Sequence, residues 1–418
     1  MFSWKPESMK APGPTTRLLH TLYPLEDPYG SLNFPTYESV AFEADTAEEL
    51  EAAFTGQTHR HIYSRITNPT VEYFEAKVQQ LTGAYAVTAM SSGMAAISNL
   101  IITLANSGDN IVTSKHLFGN TVSLFEKTLK PFGFRAKYTD LTDHGKVAAA
   151  VDPGTIAIFF ETMTNPQLEV AEIRALSEIA KKNDILLIGD TTLTPPSMFR
   201  AVDHGIDIEV LSSTKYISGG ATSVGGLLID YGTYDWSRFG KTREAYEKFG
   251  EMAFRAMLRK QVYRNMGACL SPGSAHLQSL GLDTLALRTE RSMSNALELA
   301  LWLESHPKVK QVHYPGLKSS PFYNLAMEQF GEKPGSLLTF DLDSKAACYS
   351  FMNRLEVIRR ATNLQDNKTL IIHPYSTIFA EYTDEQKMDM GLRDTQIRLS
   401  VGIEEAEDLI DDLEQALD

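Results

Sequence analysis

The stretch from Thr155 to Asp190, TIAIFFETMTNPQLEVAEIRALSEIAKKNDILLIGD, reads as strand, helix, strand. Thr155 to Phe160 and Ile185 to Ile188 are short, almost continuous apolar runs, and Glu172 to Lys182 between them carries apolar residues at helical spacing. Strands apolar on both faces belong to a largely parallel sheet covered by helices on both sides. The alternation extends outward from here. Upstream, Val71 to Leu81 reads as a helix, Tyr85 to Met90 as a strand, and a long apolar helix opens at Gly93-Met94. Asn110 to Ser114 is a strand, Asn120 to Leu129 a helix and Arg135 to Tyr138 a strand; downstream, Ile208 to Ser212 is another strand. Past Ser271-Pro272-Gly273 the texture changes. Helical patterns at Arg288 to His306 and Glu404 to Leu417 alternate with strand-like runs at Ser336 to Asp341 and Gln396 to Val401. The expected fold class is α/β, with a large mostly parallel domain and a smaller α+β C-terminal domain.

Three regions follow from this reading. Residues 1–65 form an extended arm, rich in Pro and Gly, with one acidic helical stretch from Thr46 to Phe54. Such an arm has to pack on the body of its own chain or on a neighbouring subunit. Residues 66–272 are the large domain and 273–418 the C-terminal domain.

Composition removes several classes of function. The chain has 418 residues, 43% apolar and 22% charged, so a full core can be buried. With 39 Lys and Arg against 53 Asp and Glu, the net charge of −14 argues against sequence-independent nucleic-acid binding. No run approaches the roughly 18 apolar residues of a membrane span. Met1 to Pro14 has no apolar leader core, and Cys269 and Cys348 read as buried thiols, so a reducing cytoplasm is expected. His59 and His61 lie in a polar stretch with no acidic or Cys partner at ligand spacing. They read as solvated surface, and no metal site is expected. No phosphate-loop, G-x-S-x-G or H-E-x-x-H motif is present.

Four places remain where reactive polar residues stand at or near strand ends, the position where open α/β sheets bind ligands. Ser91-Ser92-Gly93-Met94 opens the long apolar helix and reads either as an ordinary cap or as an anion site. Asp190 ends an apolar strand, as a helix cap or as a buried carboxylate with a cationic partner. Ser212-Ser213-Thr214-Lys215-Tyr216 puts a lysine directly behind a strand, either solvated or with a lowered pKa suited to Schiff-base chemistry. Arg398 alternates with Ile397, Leu399 and Val401, as a surface ion-pair partner or a carboxylate clamp. Together they match the needs of pyridoxal phosphate (PLP): a phosphate cradle, a Schiff-base lysine and a carboxylate for the ring nitrogen. An amino-acid substrate adds a carboxylate for the arginine.

Five segments carry a resemblance: Tyr63-Ser64-Arg65-Ile66-Thr67-Asn68-Pro69-Thr70, Ser92-Gly93-Met94-Ala95-Ala96, Asp190-Thr191-Thr192, Ser212-Ser213-Thr214-Lys215-Tyr216 and Arg398-Leu399-Ser400-Val401-Gly402. In order, from about Thr16 to the C-terminus, the chain resembles the Cys/Met-metabolism family of fold-type-I PLP enzymes. The resemblance implies a seven-stranded, mostly parallel sheet in the large domain. It implies that Lys215 forms the Schiff base and shuttles protons, and that Asp190 pairs with the ring nitrogen. Ser92, the backbone of Gly93 and Met94, Thr192, Ser212 and Thr214 would hold the cofactor. Asn165 would lie beside its phenolic oxygen and Phe118 against its ring. Tyr63 and Arg65 would reach a neighbouring subunit's cofactor phosphate, implying dimers within a homotetramer. Arg398 and Asn363 would take the substrate carboxylate, with Thr377 and Tyr63 near the substrate.

Departures from the family pattern narrow the activity. Most members carry Tyr where this chain has Phe118, which keeps the stacking surface but has no hydroxyl to act as an acid or base. Asn120 stands where methionine γ-lyases carry Cys, and Asn363 with Asp366-Asn367-Lys368-Thr369-Leu370 resembles the sulfhydrylase version of the carboxylate loop. Thr377-Ile378-Phe379 departs from the usual Thr-Thr-His. The implied reaction is γ-replacement on an O-acylhomoserine, the acetyl ester first, giving homocysteine in methionine biosynthesis. Its sulfur donor would be sulfide or a sulfur-carrier protein. The alternatives are the succinyl-ester sulfhydrylase, a cystathionine γ-synthase, or a methionine or cystathionine γ-lyase.

Overall fold

The structure is a computed structural model that describes residues 12–21, 23, 27–332 and 334–418. Residues 1–11, 22 and 24–26 of the expected arm lie outside the described residues.

Seven strands make the larger sheet: β1 (Ala86–Met90), β2 (Asn110–Ser114), β3 (Arg135–Thr139), β4 (Thr155–Glu161), β5 (Leu186–Asp190), β6 (Ile208–Leu211) and β7 (Gly226–Asp230), in the order β1-β7-β6-β5-β4-β2-β3. β2 pairs in parallel with both β3 and β4, and β4 with β5. β7 runs antiparallel to β1 and β6. The sheet is therefore mostly parallel, as expected. Every residue of β1 and β2 is buried, which accounts for their lack of apolar–polar alternation. β3 is the outermost strand on its side. Its Arg135 and Lys137 are partly exposed there, and charge on an outer strand discourages pairing with another chain. β7 is missing from the sequence reading. Its apolar segment, Leu227-Leu228-Ile229, is only three residues between Gly226 and Asp230, too short for a period to show.

Contacts divide the described residues into two compact units, which alternate along the chain. One takes in Met1–Asn106, Asp207–Thr214 and Thr222–Asp283. Within it, the helix Pro69–Thr82 starts where Asn68 Oδ1 accepts from the amides of Thr70 and Val71, with Pro69 at its first position. The helix Ala47–Thr55 in the arm is capped by Thr46, as the acidic pattern there predicts. His59 and His61 do have an acidic partner, contrary to the sequence expectation. Glu72 on the following helix lies 3.3 Å from His59 and 3.8 Å from His61. One helical turn brings a carboxylate to residues that sequence distance separates.

The other unit takes in Ser107–Ile206, Lys215–Ala221 and Thr284–Asp418. It contains β2 to β5 and a second, five-stranded sheet of β8 (Gln311–His313), β9 (Leu337–Asp341), β10 (Arg359–Arg360), β11 (Leu370–Ile372) and β12 (Gln396–Ser400). The order is β10-β11-β12-β9-β8, antiparallel except for β10 with β11. The helices Leu285–Ser305 and Ala406–Leu417 contribute Leu299, Leu303 and Leu413 to a core shared with Phe340, Ile397 and Leu399. The expected helix at 120–129 begins as an α-turn at Gly119–Ser123 and widens into a π-helical stretch at Leu124–Leu129. Cys348 is buried as expected, whereas Cys269 is only half-buried; neither is in a disulfide. Among the described residues no helix is long and apolar enough to cross a membrane.

Candidate active site

The expected site residues fall into two groups, one in each unit. In the first, Ser92 caps the helix Gly93–Leu104, its Oγ accepting from the Ala95 amide at 3.0 Å. A Cβ on Gly93 would come within 2.9 Å of Ser212 Cβ, and one on Gly226 within 2.1 Å of the Ser92 carbonyl. These glycines let the helix N-terminus, the end of β6 and the start of β7 approach closely. Free amides at such a terminus suit an anion. The Thr214 hydroxyl is engaged with the backbone of Gly225, accepting from its amide at 3.0 Å. Ser213 Oγ is buried with no hydrogen-bond partner. Tyr63 and Arg65 are both exposed. Arg65 stands 5.4 Å over the Tyr63 ring and donates to the Arg264 carbonyl at 2.5 Å.

Lys215, the chain neighbour of Thr214, belongs to the second group. Its Nζ donates to Asn363 Oδ1 at 2.8 Å, and Asn363 Nδ2 donates to Asp366 Oδ2 at 3.0 Å. Burial, then the Arg398 cation, lowers the Lys215 amine to about 8, with Asp366 pulling the other way. A fraction of the amine is then the free base near neutral pH, as carbonyl capture needs. The surface-ion-pair reading of Arg398 is overturned. The side chain is buried, and it donates to Asn165 Oδ1 at 3.2 Å and to the carbonyls of Thr362 and Asn363 at 3.1 Å each. Its Nε has no partner, and none of its bonds is to a carboxylate. A buried cation so placed calls for an anionic ligand.

Asp190 ends β5 and accepts from the Thr192 amide at 2.9 Å. No helix starts there, which removes the helix-cap reading. Asn165, buried and preceding a cis proline, holds Arg398. Phe118 is half-buried at the start of the helix Gly119–Ser123. Thr377 is exposed, and its hydroxyl donates to the His373 carbonyl at 2.7 Å rather than to any other expected site residue.

Two carboxylates escaped the sequence reading. Glu161 ends β4 in register with Asp190, and its Oε1 accepts from the Phe118 amide at 2.6 Å. The signal was present, since Glu161 follows Ile156 to Phe160 just as Asp190 follows Leu186 to Ile188. Asp366 was visible only as part of a loop; its link through Asn363 to Lys215 is tertiary.

The donor set fits PLP. Lys215 offers an amine of lowered basicity, and Asp190 and Glu161 form no ion pair with a cation among the described residues. Arg398 leaves a guanidinium nitrogen free; in the other unit, the N-terminus of the helix Gly93–Leu104 and the unpartnered Ser213 hydroxyl suit an anion. Comparison with known proteins agrees. The model of the family described as Cys/Met metabolism PLP-dependent enzyme matches residues 15–418. The O-acetyl-L-homoserine sulfhydrylase of Corynebacterium glutamicum is 37% identical, over 96% of this chain and 95% of its own. The L-methionine γ-lyase of Pseudomonas putida is 35% identical over 98% of both chains. A solved structure of the O-acetylhomoserine sulfhydrylase of Wolinella succinogenes, described for sulfur transfer in the methionine biosynthetic pathway, is 51% identical. It superposes with a TM-score of 0.77 over 84% of this chain and 97% of its own.

Proposed function

The chain belongs to the Cys/Met-metabolism family of PLP-dependent enzymes, and from that premise we propose that it makes homocysteine from O-acetylhomoserine by γ-replacement. The observation that carries the choice of a good leaving group is Phe118, an aromatic side chain without a hydroxyl at the start of a helix. PLP, when bound, supplies an electron sink for the charge left on the substrate carbons. Lys215 takes the proton from the substrate α-carbon and returns protons during turnover. Arg398, with Asn363, would hold the substrate carboxylate, and Asp190 would pair with the cofactor ring nitrogen. The Gly93 and Met94 amides, with Ser92, Ser212 and Thr214, would hold the phosphate. Asn165 and Thr192 would flank the ring, and Thr377 and Tyr63 would complete the substrate side. At the substrate γ-carbon the C–O bond to acetate breaks and a C–S bond forms. Acetate departs as a stable anion, so no acid on the protein has to protonate it. The sulfur donor is sulfide or the activated terminus of a sulfur-carrier protein. A panel of acetyl and succinyl esters with several sulfur donors tests this reading. Turnover confined to the succinyl ester, or elimination without sulfur incorporation, would replace it by one of the alternatives.

The same reading assigns 66–272 to cofactor binding as the large α/β domain, makes 273–418 the C-terminal α+β domain and sends the 1–65 arm to a neighbouring subunit in a homotetramer. It places the enzyme in the cytoplasm, which the two unpaired thiols support. Arg65→Ala is expected to weaken PLP binding about tenfold or more in equilibrium dialysis, because a phosphate dianion out of water needs fixed positive charge. An unchanged affinity, or monomers that keep PLP on dilution, would remove the shared site.

Phe118→Tyr is expected to change acetate displacement by no more than a few-fold. It should raise elimination from substrates with thiolate leaving groups about 100-fold, the usual worth of a positioned acid. Rates of γ-replacement and γ-elimination in both proteins check this. If the folded, PLP-loaded variant gains no lyase activity, the restriction resides in the Thr377-Ile378-Phe379 segment instead.

A further inference from the structure

Glu161 and Asp190 end neighbouring parallel strands at matched positions, so their side chains leave the sheet on the same face. Glu161 is buried, while Asp190 keeps some exposed surface. Their hydrogen-bond partners are uncharged: the Phe118 and Asn165 amides for Glu161, and the side chain and amide of Thr192 for Asp190. Arg398 donates through its terminal nitrogens to Asn165 and to the Thr362 and Asn363 carbonyls, not to either carboxylate. Lys215 spends its proton on Asn363. No cation among the described residues neutralises either carboxylate.

Two carboxylates at matched ends of adjacent strands, with no cation beside them among the described residues, cannot both ionise cheaply. Burial, then the Asp190 charge, raises Glu161 well above the usual carboxylate range, against the two amides that favour its anion. Asp190 is raised as well, by burial, with the Thr192 contacts opposing. A cationic ring nitrogen would neutralise one of these charges. It would leave the other unmatched.

We propose that Glu161 and Asp190 share a single proton and that, when PLP is bound, it resides on Glu161. The pair then presents one negative charge, on Asp190, to the ring nitrogen. Glu161 is a positioning residue: as a neutral acid it fixes the backbone at Phe118, and so the aromatic wall beside the cofactor. The inference rests on the assignment of PLP to this site. Protons balance without a co-reactant. Cofactor entering with a protonated ring meets a carboxylate pair that already holds its one proton and releases none.

The test uses full-length protein, wild type and three variants, freed of PLP and then titrated with it at a series of pH values. Glu161→Gln keeps size and amide contact while removing the titrating group. It is expected to leave PLP affinity within about threefold and the pH midpoint of the visible band nearly unmoved. Glu161→Ala, which lets Phe118 go, should bind PLP about tenfold more weakly. Asp190→Asn should shift the midpoint by about one unit or more, since it removes the charge facing the ring. The infrared carbonyl band of a protonated carboxylic acid should be present at neutral pH in cofactor-free wild type and lost in Glu161→Gln. That band does not depend on PLP. Its absence from wild type, or a midpoint in Glu161→Gln displaced as far as in Asp190→Asn, would show an ionised Glu161 and overturn the proposal. Wild type that shows the band but takes up no PLP would fail the cofactor reading and leave the shared proton standing.

Discussion

Lys215→Ala is expected to abolish turnover, lowering kcat by ~10⁴-fold or more, because in the proposed mechanism one side chain is both the covalent anchor and the proton carrier. The variant should retain PLP only non-covalently, and borohydride should label Lys215 in wild type and leave the variant unlabelled. Truncation leaves Asn363 Oδ1, and Asp366 behind it, without the ammonium that Oδ1 now accepts from. The pH dependence follows from the same environment. Because the amine is lowered to about 8, it is mostly protonated below that pH and mostly free base above it. The rate at which cofactor-free wild type captures PLP covalently should therefore climb through pH 8 and level off beyond. Turnover in Lys215→Ala within an order of magnitude of wild type would remove this lysine from the mechanism.

Asp190→Asn is the second large effect, a fall in kcat on the order of 10³-fold. Asparagine fills the same volume and can still accept from the Thr192 amide, so folding should survive. It cannot hold the ring nitrogen protonated, and an uncharged ring draws electrons weakly. The loss should appear in kcat and in deuterium exchange at the substrate α-carbon more than in KM, since the group acts on charge that develops during reaction. A variant within a few-fold of wild type would make Asp190 a structural residue.

The residues at issue differ in how they could be read from sequence. Lys215 and Asp190 stand directly behind apolar runs, where a charged side chain needs a reason to be. Arg398 follows from strand alternation, which fixes its face but not its burial. Glu161 stands in the same kind of position, but it was not picked out, because nothing local says that the neighbouring strand ends in a second carboxylate. Strand order decides that, and β5 lies beside β4 only through folding. The Lys215–Asn363–Asp366 chain was hidden for the same reason, as was the Glu72 contact with His59 and His61. β7 was lost to length: three apolar residues between Gly226 and Asp230 carry too little pattern to separate strand from loop.

The hydrogen bonds of Arg398 have a bearing on selectivity. Its terminal nitrogens are committed to Asn165 and to the Thr362 and Asn363 carbonyls, so this long side chain loses its rotational freedom when the protein folds. In the proposed role, an arriving carboxylate meets a guanidinium that is already immobile, and ordering it consumes none of the binding energy. The converse is a penalty on mimics. An amine of the same shape but lacking the carboxylate would seal a cation into the interior with nothing opposite it. Rejection on that ground is far steeper than the loss of one contact. Discrimination between amino acids and their decarboxylated analogues would thus be decided by the stiffness of an arginine before any bond is broken.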